Sequence, residues 1–111
     1  MVYPMCNMTV TLYRKTGDSV RREVLHGCYY EWQLQCSRDA TGLKKDRKFL
    51  LVIPDGRGEV LIGDRVIVGV GPERVDWNRF VPAAVAGLGQ VAYVRPYYLE
   101  GKLTHTEAGR K

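Results

Sequence analysis

Three cysteines, two histidines and a set of closely spaced acids are where metal or nucleophile chemistry would have to come from in this chain. Cys6, Cys28 and Cys36 cannot all pair with one another, and no two stand at CxxC spacing. They read as reduced, buried thiols. With only His26 and His105 to complete a ligand set, a four-ligand zinc site has no spacing signature behind it. His26 falls mid-strand on an apolar face, where a satisfied structural histidine is expected rather than a base. His105 stands in a polar stretch near the C-terminus, as either a surface contact or an unconstrained polar residue. Asp55, Glu59 and Asp64 are close in sequence, but each follows or precedes a glycine. They read as turn acids, since a hard-cation site needs more converging oxygens. No serine, histidine and acid form a recognisable nucleophile motif. The expectation is no enzyme, no metal and no cofactor.

The glycines of "IPDGRGEVLIGDRVIVGVGPERV" (53–75) raise the possibility of a phosphate cradle. A P-loop needs GxxxxGK followed by serine or threonine, and no glycine here fits that frame. A dinucleotide fingerprint needs GxGxxG; Gly69 and Gly71 are present, but Arg74 occupies the third glycine position. No long amphipathic helix follows to supply free N–H groups and a dipole. These glycines therefore read as punctuation between strands.

The elements around them are strands. "MTVTLYR" (8–14) alternates, with Val10 and Leu12 on one face and Thr9, Thr11 and Tyr13 on the other. "KTGDS" (15–19) is a turn. From Val24 to Cys36 a second alternation continues, long enough that a bend is expected at Gly27. "KFLLVIP" (48–54) reads as a strand buried on both faces and ended by Pro54. "RVIVGV" (65–70) and "QVAYVRPYYL" (90–99) are further strands, the latter placed at an edge, or broken, by Pro96. Between Val75 and Gly89 "AAVAGLG" allows one or two helical turns or a buried loop. The fold expected is all-β, a small antiparallel β-barrel or sandwich with at most one short helix.

At 111 residues the chain reads as a single domain, 1–111, able to bury a core without metals or disulfides. No apolar run of about 18 residues is present, so no spanning helix and no membrane partner are expected. The N-terminus lacks a secretory pattern, which points to the cytosol. The net charge is +5. Much of it sits in "SRDATGLKKDRK" (37–48), where Arg38, Lys44, Lys45, Arg47 and Lys48 face only Asp39 and Asp46. This reads as a mobile basic loop that keeps the protein soluble, or that contacts nucleic acid or an acidic protein surface. A short exposed C-terminal tail is expected at 100–111, with room for a last strand at Leu103 to Thr106. Tyr29, Tyr30, Trp32, Tyr93, Tyr97 and Tyr98 would suit a base-stacking platform, although core and cross-strand pairs produce the same pattern more often.

Four stretches along most of the chain, "TVTLYR" (9–14), "VIPD" (52–55), "GDRVIVG" (63–69) and "GKLTHTEAG" (101–109), give it a family likeness. The chain resembles small head and neck proteins of tailed phages and prophages, described as minor capsid or head–tail connector proteins. Members usually carry an aromatic residue after the closing histidine, where this chain has Thr106. The resemblance implies a virion structural protein near the portal, a head-closure or head–tail connector subunit. Its partners would be portal, adaptor and tail proteins and further copies in an oligomeric ring, with possible non-specific DNA contact. Its location would be the virion, and the host cytoplasm before assembly. Arg38, Lys44, Lys45, Arg47, Lys48 and His105 are then the candidate contact residues. The alternative is a nucleic-acid-binding module of OB or SH3-like type.

Overall fold

The computed structural model describes residues 6–39, 42–55, 58–82 and 84–110; of residues 33–39 and 42–47 it describes the backbone. Seven strands run in chain order: β1 (Met8–Thr16), β2 (Ser19–Asp39), β3 (Gly42–Pro54), β4 (Arg65–Val68), β5 (Leu88–Gln90), β6 (Tyr93–Leu99) and β7 (Lys102–Arg110). Every pairing is antiparallel, and the sheet order is β5-β4-β1-β2-β3-β7-β6. The fold is all-β, as expected, but no ladder closes the sheet into a barrel. The two edge strands are instead consecutive in the chain. Only Val91 and Ala92 separate β5 from β6; Val91 N donates to Asp64 O at 2.8 Å and Ala92 N to Gly109 O at 2.7 Å. Two residues thus bring the ends of the sheet together.

The strand that makes this curl possible is β2. Its first half, to Cys28, pairs with β1; from Tyr29 onward it pairs with β3. Gly27 sits at the junction with φ of +75°, a backbone region that a side chain makes costly. The β1–β2 register also shifts between Met8 and Val10. One extra residue reverses which alternate positions face the core. Before the junction Leu25 is buried; after it Cys28 and Tyr30 are. His26 therefore lies exposed, not on an apolar face, with its Nδ1 3.0 Å from Thr9 Oγ1. A single alternation carried through Gly27 could not have placed it there.

The main core gathers Val10, Leu12, Leu25, Leu51, Ile53, Val66 and Ala108, with Tyr30 and Phe49 toward one end. A second cluster covers the other face of β1 and β4. Tyr13, Phe80 and Leu88 form it, with Ile67, Val75 and Trp77 packed around them. This is why Thr11 and Tyr13, on the face opposite Val10 and Leu12, are as buried as those residues. The segment 69–87 lies over them. Thr11 Oγ1 donates to Gly69 O (2.7 Å) and accepts from Gly71 N (2.9 Å), and Tyr13 Oη donates to Pro72 O (2.6 Å). Among its described residues that segment has no helix, only turns such as Phe80 N to Asp76 O and Val85 N to Val81 O.

The C-terminal residues correct a second expectation. Lys102–Arg110 is not an exposed tail but strand β7, hydrogen-bonded to β3 on one side and β6 on the other. Its alternation is hard to read because Thr104, Thr106 and Ala108 are small and weakly apolar. The β6–β7 turn places Glu100 and Gly101 both at positive φ, the two-residue geometry that matches the twist of a hairpin.

Candidate functional site

β2 and β3 outrun the rest of the sheet. β1 reaches β2 only as far as Cys28, and β7 reaches β3 only from Phe49 onward. From Gln33 paired with Lys48 to Asp39 paired with Gly42, the two strands have no neighbour but each other among the described residues. At about 3.3 Å per residue these seven rungs make an arm of roughly 23 Å. The molecule's longest extent is 48 Å.

The basic segment 37–48 is therefore not a loop; it is the outer part of a paired hairpin. Ala40 and Thr41, between the two strands, lie outside the described residues. The misreading has a physical cause. From Ser37 to Lys48 the paired strands are built largely of polar and charged residues, so this stretch carries no apolar alternation to mark it as strand. The register sets Ser37 opposite Lys44, Cys36 opposite Lys45, Leu34 opposite Arg47 and Arg38 opposite Leu43. The arm carries five cations against two acids, a net +3 of the chain's +5.

His105 does not join this group. It lies on β7 opposite Pro54 and Tyr97, its ring stacked on Tyr97 with centroids 4.6 Å apart. Pro54 is six residues along β3 from Lys48, or roughly 20 Å. The candidate contact residues thus divide into five on the arm and one on β7, beside the far end of β3. The aromatic platform also divides. Tyr30 is buried, stacked on Phe49 (5.4 Å) with its hydroxyl pushed to a higher pKa by burial, and Trp32 meets both rings edge-on. Tyr97 and Tyr98 are exposed on β6.

Two charged residues are buried: Asp64, read from the sequence as a turn acid, and Arg65, which sequence reasoning did not single out. Asp64, 2% exposed, accepts Arg14 Nε and Nη2, both at 2.9 Å, and Leu61 N at 2.9 Å. The hydrogen bond to Asp64 holds Arg14 above its ordinary pKa. Arg65 has no carboxylate within ion-pairing distance among the described residues. Its Nη1 donates to Trp77 O and to Phe80 O (2.7 Å), and its guanidinium stacks 3.8 Å over the Trp77 ring. Burial lowers its pKa. It pins the 69–87 segment to β4. "GDR" was legible as a turn before a strand, but not as two charges turned inward.

Of the other acids, Asp55 occupies a turn at φ +55° and Glu59 is exposed. No group of three or more His, Cys, Asp or Glu that could hold a metal ion occurs among the described residues. Cys28 is buried and Cys6 half-buried. At the root of the arm, Trp32, Phe49, Pro82, Leu88, Gln90 and Arg110 line a hollow of about 50 Å³. The arrangement offers contact surfaces: a basic projection, a hollow of mixed lining beside its root, and exposed aliphatic and aromatic side chains. Comparison with known protein families, with curated proteins and with solved structures finds no match.

Proposed function

We propose that this protein is a virion structural protein of a tailed phage or prophage, a head-closure or head–tail connector subunit that works in several copies near the portal. The observation that carries the reading, beside the sequence resemblance, is the basic arm standing clear of a small, double-clustered body. A ring subunit needs a rigid body to meet its neighbours and a projection to reach the partner or the DNA passing through. A symmetric ring repeats each contact in every copy, so a modest charge on one arm becomes a strong local field. The nucleic-acid module is the weaker reading, because Tyr30 is in the core and Tyr93, Tyr97 and Tyr98 lie on β6, separated from β2 by β3 and β7.

The test is charge reversal on the arm at Lys44→Glu, Lys45→Glu and Arg47→Glu. Solvated charges change stability by no more than about 0.5 kcal/mol each. The melting temperature should therefore stay nearly constant. Assembly onto portal particles, or retention of packaged DNA, should weaken, and most at low salt where charges act over longer distances. A variant that assembles and retains DNA like the parent at every salt concentration would remove the arm from the mechanism. Tight, salt-dependent binding of single-stranded oligonucleotides by the isolated monomer would favour the nucleic-acid module instead.

A further inference from the structure

The turn leading into β4 is fastened more firmly than a surface turn requires. Val60, at one end, is 4% exposed and Asp64, at the other, 2%. Between them Asp64 N donates to Leu61 O at 3.1 Å, Gly63 N to Val91 O at 2.8 Å, and Leu61 N to the Asp64 carboxylate at 2.9 Å. Arg14 clamps that carboxylate from β1 and reaches Glu59 O at 3.4 Å. What this fastening holds in solvent is Ile62, 70% exposed, with Leu61 beside it. Glu59, also exposed, begins the same turn. A rigid aliphatic knob loses little freedom when it binds, which raises its worth in an interface.

The hollow at the root of the arm is the matching feature. At about 50 Å³ it exceeds the roughly 10–15 Å³ of such space that one water needs, so the end of a side chain fits. Trp32, Phe49, Pro82 and Leu88 share its wall with Gln90, Gly87 and Gly89, and among the described residues its cation is Arg110, which is exposed.

We propose that Ile62 of one copy seats in the Trp32 hollow of a second copy, with Glu59 of the first facing Arg110 of the second. The inference rests on the multi-copy reading above and names the surfaces by which the copies meet. Two features select a second copy as the occupant. The hollow admits the end of a side chain, and this chain presents Ile62 on a locked turn. The acid beside the knob also complements the cation beside the hollow. Knob and hollow are different patches, so the contact is heterologous and its repetition generates a ring where the rotation closes.

Sedimentation equilibrium of the full chain over a range of concentrations tests this. Ile62→Lys and Gln90→Lys, the latter at an exposed position in the hollow wall, should each weaken self-association by about thirtyfold or more. Val70→Lys, at an equally exposed aliphatic, should leave it within about twofold. Glu59→Lys and Arg110→Glu should each weaken it by about threefold, and the double variant should recover the parental value. All these positions are exposed, and circular dichroism will show that the variants fold. Association that survives Ile62→Lys overturns the proposal while leaving the ring reading intact. A parent chain that stays monomeric at every concentration, and on portal particles, overturns both.

Discussion

Gly109→Ala will destabilise the protein by about 3 kcal/mol, the upper end of what overpacking one methyl group costs. Gly109 lies on β7 between Leu50 of β3 and Tyr93 of β6. A Cβ built there runs into the carbonyl oxygen of Phe49, and into the Tyr93 hydroxyl at 3.1 Å. The Phe49 carbonyl is ladder backbone and has no rotamer to escape into. Moving it shifts β3 against β7 at the strand's most buried stretch. Gly109 O also accepts from Ala92 N, the bond that ties the linker between β5 and β6 to β7. The effect should therefore reach the closure of the whole sheet. Gly58→Ala is the control. Its Cβ meets only the branch atoms of Leu25, which can turn aside, so about 1 kcal/mol is expected. At roughly 4 °C per kcal/mol for a domain of this size, Gly109→Ala should lower the melting temperature by roughly 12 °C. Equal losses from the two substitutions in urea unfolding would mean that β3 and β7 separate easily, and the argument from backbone contact would fail.

Much of the strand content was legible because it sits where alternation meets a core. Val10 and Leu12 share a buried face as their period of two requires, and Leu51, Ile53 and Val66 are buried within the strands read at 48–54 and 65–70. The Lys15–Ser19 turn and the edge position of the strand carrying Pro96 follow from local chemistry alone. Legibility failed wherever the alternation lost its cause. Beyond Cys36 the arm is mostly polar and charged and shows no alternation, so Ser37 to Lys48 read as a loop. The strand from Lys102 to Arg110 is wedged between two others and is built from small residues that give no contrast. Past Gly27 the phase of β2 reverses, and His26 moved from an expected inner face to solvent. The hollow at Trp32 draws on residues from β2, β3, the segment after Phe80, β5 and β7. No spacing in one dimension encodes that meeting. The burial of Arg65 and Asp64 was not legible for another reason: charge is a strong signal for exposure, and only the partners brought by the fold overturn it.

Removing the Asp64 carboxylate should separate what holds the fold from what presents the knob. Asp64→Ala deletes the acceptor of two Arg14 N–H groups and of Leu61 N at once. Breaking a buried ion pair costs 3–5 kcal/mol when the surviving charge is left uncompensated. The Arg14 side chain keeps 19% of its surface, so water can partly reclaim it, and about 3 kcal/mol is expected. Arg14→Met should cost at least as much, because it leaves an anion only 3% exposed with the Leu61 amide as its one remaining donor among the bonds described. The double variant should be less destabilised than the sum of the two by about 2 kcal/mol, since neither charge is then left alone. Additive losses would mean that the pair does not act as a unit. The second readout is local. In Asp64→Ala the amides of Leu61 and Gly63 should exchange faster than those of β1 and β3, whose ladders are untouched. Ile62 is still present in that variant but no longer held. Self-association should therefore weaken under conditions where circular dichroism shows the sheet intact. A folded Asp64→Ala chain that associates like the parent would show that the knob needs no fastening, and that the buried ion pair serves the body alone.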